Sequence, residues 1–228
     1  MSDPVGIKIE KFFSQYKPHR FRKGEVILRA DDSPSGVYFI KEGYVVMTGL
    51  FEDGREITFN IFKPGTYFPI IWAIAGVKNS YYYTAMTQVV LQKNSKEETL
   101  KFLKKDPEVL FELTSRILVG MGGLLTNIEY ILTGNSYRRI ISVLTLSARR
   151  FGENAGREKV IVNIPLTHKD IANMSGLTRE TVSLGMKKLE RKKLISVGNK
   201  RQIIIENIKK LEKEFLVSES EPSSSPAI

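Results

Sequence analysis

The spacing of apolar and polar positions changes near residue 19 and again near residue 106. Between residues 19 and 91 apolar positions recur at every second residue, in short runs rich in β-branched and aromatic side chains. This pattern predicts β-strands. Short strands at regular spacing are typical of an antiparallel barrel or jelly roll, and we assign residues 1–105 to such a domain. The turns between the strands are marked by Lys23-Gly24, Glu42-Gly43, Asp53-Gly54 and Pro64-Gly65.

From residue 106 the period becomes helical. Asp106 and Pro107 are typical of a helix start, and the following apolar residues recur at three- and four-residue steps. Such a seam is typical of coiled coils, so residues 106–134 are predicted to form a dimerisation helix. Packing of this helix against its own domain is the alternative. The predicted seam residues are Leu113, Ile117, Leu124, Ile128 and Ile131.

A helix-turn-helix is predicted between Leu166 and Lys193. Thr167 is an N-cap with Asp170 three residues later, Gly176 suits the turn, and Thr178 caps the second helix. A preceding helix and strand, and a hairpin around Gly198-Asn199 that forms a wing, complete a winged domain over 135–216. The predicted fold class is therefore α+β: a jelly roll, a long helix and a winged helix-turn-helix domain.

The outward face of the second helix carries groups that suit DNA. The Arg179 guanidinium has the fork geometry to donate two hydrogen bonds to guanine, and the Glu180 carboxylate can accept one from the amino group of cytosine. Phosphate contact is predicted for the charges further along the helix and at the wing tip. Any helical hairpin with a solvated basic face is the alternative. The candidate residues of this face and wing are Arg179, Glu180, Ser183, Lys187, Lys188, Lys200 and Arg201.

Charge and composition reduce the number of functions that the sequence allows. The net charge is +10, and residues 137–210 hold 17 Lys/Arg against 6 Asp/Glu, so the excess lies where the helix-turn-helix is predicted. The absence of cysteine excludes thiolate-held iron–sulfur clusters, and two histidines cannot form a multi-histidine metal site. No catalytic motif is present, so an enzyme is not expected. We expect a cytoplasmic protein without a membrane segment, and a disordered tail at 217–228.

The runs RKGEVIL, GVYFIKEGYVVM, EDGREI and KPGTYF, followed by TRETVS, resemble the cyclic-AMP receptor protein/FNR (Crp/Fnr) family of bacterial regulators. The resemblance implies a β-roll sensor, a homodimer on palindromic double-stranded DNA, and RNA polymerase as a partner. It also implies phosphate contacts by Thr167, His168, Thr178 and Thr181, and a base-reading role for Ser183. The next position, often Arg in the family, is Leu184 here. We therefore expect the neighbouring base to be read differently than in the rest of the family. Leu184 could contact the 5-methyl group of a thymine there.

The sequence departs from cyclic-nucleotide-binding members at their ligand residues. Those members have a Phe-Gly-Glu core and a later Arg, whereas this chain has Tyr67 to Trp72 and Tyr83-Thr84. Without a cation for the phosphate, cyclic AMP is not expected to bind. Haem and an iron–sulfur cluster are not expected either. The aromatic residues either fill the core or line a pocket for another effector, with the candidates Phe68, Trp72, Tyr82, Tyr83, Thr84 and Leu124.

The sequence thus predicts a homodimeric, sequence-specific transcriptional regulator under the control of an effector other than cyclic AMP. The rival hypothesis is a ligand-binding or interaction protein whose helix-turn-helix does not read DNA. Strong salt-dependent binding to duplex DNA would exclude that rival.

Overall fold

A computed structural model describes residues 4–198 and 202–217, and at 127 and 130–133 it describes the backbone alone. The chain divides into two compact units whose boundary lies between Gly120 and Met121. The predicted tail at 218–228 lies outside the described residues. Residue 217 itself ends a helix.

The N-terminal unit is built on two antiparallel four-stranded sheets. Their orders are β1-β8-β3-β6 and β2-β7-β4-β5, so strands that are neighbours in sequence often lie in different sheets. This arrangement confirms the predicted jelly-roll architecture. The strands are β1 (Pro18–Phe21), β2 (Val26–Leu28), β3 (Val37–Glu42), β4 (Val45–Leu50), β5 (Glu56–Phe62), β6 (Tyr67–Phe68), β7 (Tyr82–Ala85) and β8 (Val89–Asn94).

The turn between β3 and β4 shows why one glycine is required. Gly43 has a φ of +83°, which L side chains rarely adopt. A Cβ there would also lie 2.1 Å from the carbonyl oxygen of Gln88. The hairpin therefore reverses closely against the start of β8 only because this residue has no side chain.

Two groups of buried side chains stabilise the unit. The inner core takes side chains from both sheets and consists of Leu28, Tyr38, Ile40, Val45, Phe68, Tyr83, Ala85, Val89 and Leu91. The outer core lies against the other face of the β1-β8-β3-β6 sheet and consists of Ile9, Phe13, Val37, Phe39, Tyr67, Ile70, Ala73, Leu103, Val109 and Leu113.

Helices supply the other side of the outer core. Their apolar faces pack on β3 and β6; the Phe13 ring, for example, stacks on Phe39 with centroids 5.1 Å apart. Ser95 caps the third helix by accepting a hydrogen bond from the Glu98 amide at 3.1 Å. The helices are α1 (Pro4–Phe13), α2 (Ile70–Ala75), α3 (Lys96–Lys105) and α4 (Pro107–Thr133).

The long helix α4 has a different apolar seam from the predicted one. Leu113 is buried in the outer core and Ile117 packs against it, so these two residues do not belong to a free seam. The prediction was wrong for Leu113 because the N-terminal unit itself covers that side of the helix, and Ile117 is partly buried against the same core. The side chain of Ile131 lies outside the described residues. Leu124 and Ile128 remain exposed.

A second set of apolar side chains on α4 faces outward instead. It consists of Leu118, Met121, Leu125 and Ile128, each at least half exposed. The stretch Pro107–Thr126 is also long and apolar enough to cross a membrane by length and composition. However, Val109 and Leu113 within it are buried by protein.

The C-terminal unit has the predicted winged helix-turn-helix architecture. Its four short strands form one antiparallel sheet of order β11-β12-β10-β9, and β11 and β12 are the two strands of the wing. The elements are α5 (Ser136–Phe151), β9 (Gly152–Asn154), β10 (Val160–Val162), α6 (His168–Ser175), α7 (Arg179–Arg191), β11 (Ile195–Val197), β12 (Ile203–Ile205) and α8 (Ile208–Val217).

Candidate nucleic-acid interface

Helix α6 begins at a capping box formed by Thr167 and Asp170. The Thr167 hydroxyl accepts a hydrogen bond from the Asp170 amide at 3.2 Å, and the Asp170 carboxylate accepts one from the Thr167 amide at 2.7 Å. The box satisfies amide groups that the first turn of a helix leaves unpaired. The predicted start of the helix-turn-helix is thereby confirmed.

The turn between α6 and α7 is three residues long. Gly176 adopts the left-handed conformation (φ 65°, ψ 32°), and the amide of Leu177 donates to the Ala172 carbonyl at 3.1 Å. This is a common way for a helix to end in a tight turn. Thr178 then caps α7 by accepting from the Thr181 amide at 3.2 Å, so the second helix starts at once.

The inner face of α7 is fixed by close packing on α5. Val182, Met186 and Leu189 are fully buried. Between them, Gly185 lies so close to α5 that a Cβ would come within 2.3 Å of the Ile140 Cδ1 atom. Because this side of α7 is held against the domain, the opposite side must face outward.

The outward side of α7 carries the residues predicted to read bases. Arg179, Glu180, Leu184 and Lys187 are exposed, and Ser183 is half-buried. Within the described part of the chain, Arg179 and Lys187 make no ion pair. Their donor groups are therefore not occupied by the protein itself, as a DNA-reading surface requires.

The residues predicted to contact phosphates lie mainly at the two helix starts. Thr167 precedes α6 and is exposed, and His168 is half-buried in its first turn. The hydroxyl oxygens of Thr178 and Thr181 lie 3.0 Å apart at the start of α7. Helix N-termini bind anions because their unpaired amide groups can donate hydrogen bonds and the positive end of the helix dipole lies there. Lys200 and Arg201, at the predicted wing tip, lie outside the described residues.

Lys188 is held by contacts that sequence reasoning did not anticipate. Its ammonium lies 4.4 Å from the ring centroid of Tyr137, and that of Lys192 lies 5.8 Å from it. The Tyr137 hydroxyl donates to Glu214 at 3.2 Å, and Lys192 is hydrogen-bonded to the same carboxylate. This cluster joins α5, α7 and α8. No local signal could have revealed it, because its partners are far apart in sequence.

Several other cations of the C-terminal unit are neutralised by partners. Arg149 is paired with Glu212 at 2.7 Å, and Lys159 is paired with Glu206 at 2.8 Å. The hydrogen bond from Lys159 holds the pKa of the Glu206 carboxyl below its ordinary value. Ion pairs that remain accessible to solvent contribute little stability. However, these two pairs neutralise positive charge on other parts of the C-terminal unit, so that, in the part of the chain that the structure describes, unpaired cations remain on the outward side of α7.

Five of the residues predicted to line an effector pocket belong to the N-terminal unit, and these five do not lie together. Phe68 and Tyr83 belong to the inner core, with ring centroids 4.8 Å apart, whereas Trp72 packs against the outer core. Tyr82 and Thr84 lie on the opposite face of β7, as their alternating burial indicates. Leu124 belongs to the other compact unit. For Phe68 and Tyr83, the structure therefore supports the alternative of core filling.

Two stretches of the sequence match models of known protein families. Residues 138–214 match the Crp-like helix-turn-helix domain, and residues 18–106 match the cyclic nucleotide-binding domain. The chain belongs to the Crp/Fnr family. No group of three or more metal-binding side chains occurs among the residues that the structure describes.

Relatives of this Crp/Fnr protein are transcriptional regulators. A global nitrogen regulator of a Nostoc species is 27% identical over 201 residues, covering 86% of this chain and 87% of the relative. The transcriptional regulator LdrP of Thermus thermophilus is 27% identical over 187 residues, covering 82% and 91%. This family member is therefore a DNA-binding transcriptional regulator and not an enzyme.

Solved structures share the fold along nearly the whole chain. A CooA mutant from Carboxydothermus hydrogenoformans superposes with a TM-score of 0.77 at 18% identity, covering 94% of this chain and 97% of that one. A Crp/Fnr-family regulator from Thermus thermophilus gives a TM-score of 0.66 at 26% identity, covering 90% and 100%. The order of jelly roll, long helix and winged domain is thus the order of the family.

Proposed function

We propose that this Crp/Fnr regulator binds a palindromic site in double-stranded DNA as a homodimer, with α7 of each copy in the major groove. The observation that carries the proposal is the outward side of α7. Arg179 and Glu180 stand exposed in its first turn, with Lys187 two turns further along. Recognition helices contact bases mainly through their N-terminal residues, and a dimer places two of them on successive turns of the duplex.

Each side chain has a specific task in this proposal. The Arg179 guanidinium donates two parallel hydrogen bonds to O6 and N7 of a guanine, and Glu180 accepts from the amino group of a cytosine. Lys187 binds a phosphate, which orients the helix without reading sequence. The Thr167 hydroxyl donates to Asp170, and the hydroxyls of Thr178 and Thr181 share one hydrogen bond, so one of the latter two remains to donate to a further phosphate oxygen.

The exposed seam of α4 supports the homodimer. Leu118, Met121, Leu125 and Ile128 follow one another at steps of three, four and three residues, which is the spacing of a coiled-coil seam. Between 50% and 65% of each of these residues is exposed in the single chain. A continuous apolar stripe of this kind is unfavourable in water, and the same stripe on a second copy can cover it.

An effector other than cyclic AMP is part of the proposal. The segment from Tyr67 to Trp72 supplies no carboxylate for a ribose, and Tyr83-Thr84 supplies no cation for a cyclic phosphate. Phe68 and Tyr83 are almost fully buried against one another. Placing an anionic phosphate against these rings would carry a large desolvation cost.

RNA polymerase as a further partner and the cytoplasm as the location belong to the same proposal. Both are supported by the regulator function of the relatives. Pull-down of purified polymerase onto a regulator–DNA complex would test the first of these.

Selection of bound sequences from a random duplex pool tests the proposal. We expect an enriched palindrome with half-sites one helical turn apart, and a dimer mass in sedimentation. Arg179→Ala should weaken binding to the selected site by about 1–3 kcal/mol and leave binding to random DNA nearly unchanged. Arg149→Ala is the matched control, because it removes the same charge from a residue already paired with α8.

Two results would contradict the proposal. Equal loss on selected and random DNA in the Arg179→Ala variant would show that this side of α7 does not read bases. No salt-dependent duplex binding at all would favour the rival, a ligand-binding or interaction protein whose helix-turn-helix has another use.

A further inference from the structure

One apolar side chain lies where the rest of the DNA-binding face is polar. Among the described residues from 135 onward, three large apolar residues are exposed: Leu184, Val197 and Leu216. Val197 lies on a wing strand, and Leu216 lies at the end of α8. Leu184 is the most exposed of the three, at 69%, and it lies on the recognition helix α7 itself.

The position of Leu184 on α7 places it in the middle of the outward side. Residues three and four apart are neighbours on a helix surface, so Leu184 lies between Glu180 and Lys187. The buried stripe of Val182 and Leu189 lies on the other side of the helix, against the domain. Packing within the chain therefore does not account for a leucine at this position.

The chemistry of the major groove limits what an exposed leucine can contact. Base edges there present hydrogen-bond donors and acceptors, which leucine cannot pair, and one apolar group, the 5-methyl group of thymine. A polar edge facing Leu184 would lose its water without gaining a partner. A thymine methyl facing Leu184 would bury two apolar groups together, which is favourable.

We propose that Leu184 reads the 5-methyl group of a thymine next to the base pair that Arg179 and Glu180 contact. This inference rests on the proposed DNA reading by α7 and adds one specified base to it. A half-site for this regulator therefore combines a hydrogen-bonded G·C pair with a thymine recognised by apolar contact alone. The neighbouring Ser183 is half-buried and small, so it leaves Leu184 room to reach the base.

Deoxyuridine provides a direct probe, because it differs from thymidine only by the 5-methyl group and keeps every hydrogen-bonding group. Each thymine of the selected site is replaced singly by deoxyuridine in one half-site, and affinities are measured by fluorescence anisotropy at fixed salt. For the unaltered protein we expect a three- to fivefold weaker affinity at one thymine, the effect of one buried methyl group. The other thymines should show no change.

Variants of Leu184 complete the experiment. Leu184→Ala should bind the thymine and deoxyuridine duplexes nearly equally at that position, because the shortened side chain no longer reaches the methyl group. Leu184→Met, which retains a long apolar side chain, should keep part of the discrimination. Circular dichroism should show both variants folded, since the residue is exposed and substitutions at exposed positions rarely change stability.

Several outcomes would overturn the inference while leaving the proposed function intact. One is a selected site to which thymine and deoxyuridine duplexes bind equally at every position. Another is a Leu184→Ala variant that still discriminates, and a third is a selected half-site without thymine. Absence of any sequence-specific duplex binding would instead overturn the proposed function, and the inference with it.

Discussion

Replacing Phe68 by alanine tests whether the centre of the N-terminal unit is a packed core or a ligand pocket. Phe68 is 1% exposed. Its ring centroid lies 4.8 Å from that of Tyr83 and 5.5 Å from those of Tyr38 and Phe62. Removing a buried phenylalanine ring typically costs about 3–5 kcal/mol, because transfer free energy is lost and a cavity is left. Three aromatic neighbours place Phe68→Ala toward the upper part of that range.

The loss can be measured by urea unfolding of the purified regulator. The single tryptophan, Trp72, packs against the outer core, so its fluorescence reports on the N-terminal unit separately from the C-terminal unit. Tyr82→Ala is the control, because Tyr82 lies on the other face of β7 and is half-buried. We expect this control to cost about 1 kcal/mol or less.

A loss of less than about 1 kcal/mol in Phe68→Ala would refute the assignment of this ring to the core. Stabilisation of the unaltered protein by a small aromatic compound, abolished in Phe68→Ala, would point to a pocket instead. The expected result is a large loss of stability that no such compound restores.

Three further predictions concern stability. Burial raises the pKa of the hydroxyl groups of Tyr67 and Tyr83 above the ordinary 10.0, so the neutral phenol is favoured in the folded state. Each neutral phenol makes its full contribution to the free energy of unfolding below pH 10, and above pH 10 that contribution falls by up to about 1.4 kcal/mol per pH unit. Tyr→Phe at either position should therefore make the free energy of unfolding, measured in urea, fall less steeply with pH. Gly185→Ala should destabilise the protein through contact with Ile140 and cost less in an Ile140→Val background; equal costs in both backgrounds would exclude that contact. Thr167→Ala should cost about 1 kcal/mol in thermal unfolding, whereas Thr167→Ser should cost much less; equal losses would rule out a capping role.

The local architecture could be predicted from the sequence because its signals are local. The cap at Thr167, the left-handed turn at Gly176 and the cap at Thr178 depend on the conformations that a few adjacent residues prefer, and the structure has each of them. The two-residue period between residues 19 and 91 likewise predicted the strands of the jelly roll. The positions that face outward on α7 follow from the helical period once the buried stripe is recognised.

The contacts of α4 and of the aromatic residues depended on the tertiary structure. Leu113 and Leu118 are both apolar residues on one helix, and the sequence alone does not say which side the domain covers. The structure buries Leu113 in the outer core and leaves Leu118 exposed. In the same way, Phe68 and Tyr83 become core residues because strands distant in sequence bring their rings together.

The same distinction applies to Lys188 and Leu184. A basic residue on α7 suggests phosphate binding from sequence, but its contact with Tyr137 exists only because α5 packs beside α7. Leu184 could have been part of a core by composition; its exposure was decided by the packing of Gly185 against Ile140, which fixes the rotation of the helix. Preferences of short segments are written in the sequence, whereas the choice among possible partners of an apolar or charged side chain is made by the packing of distant segments.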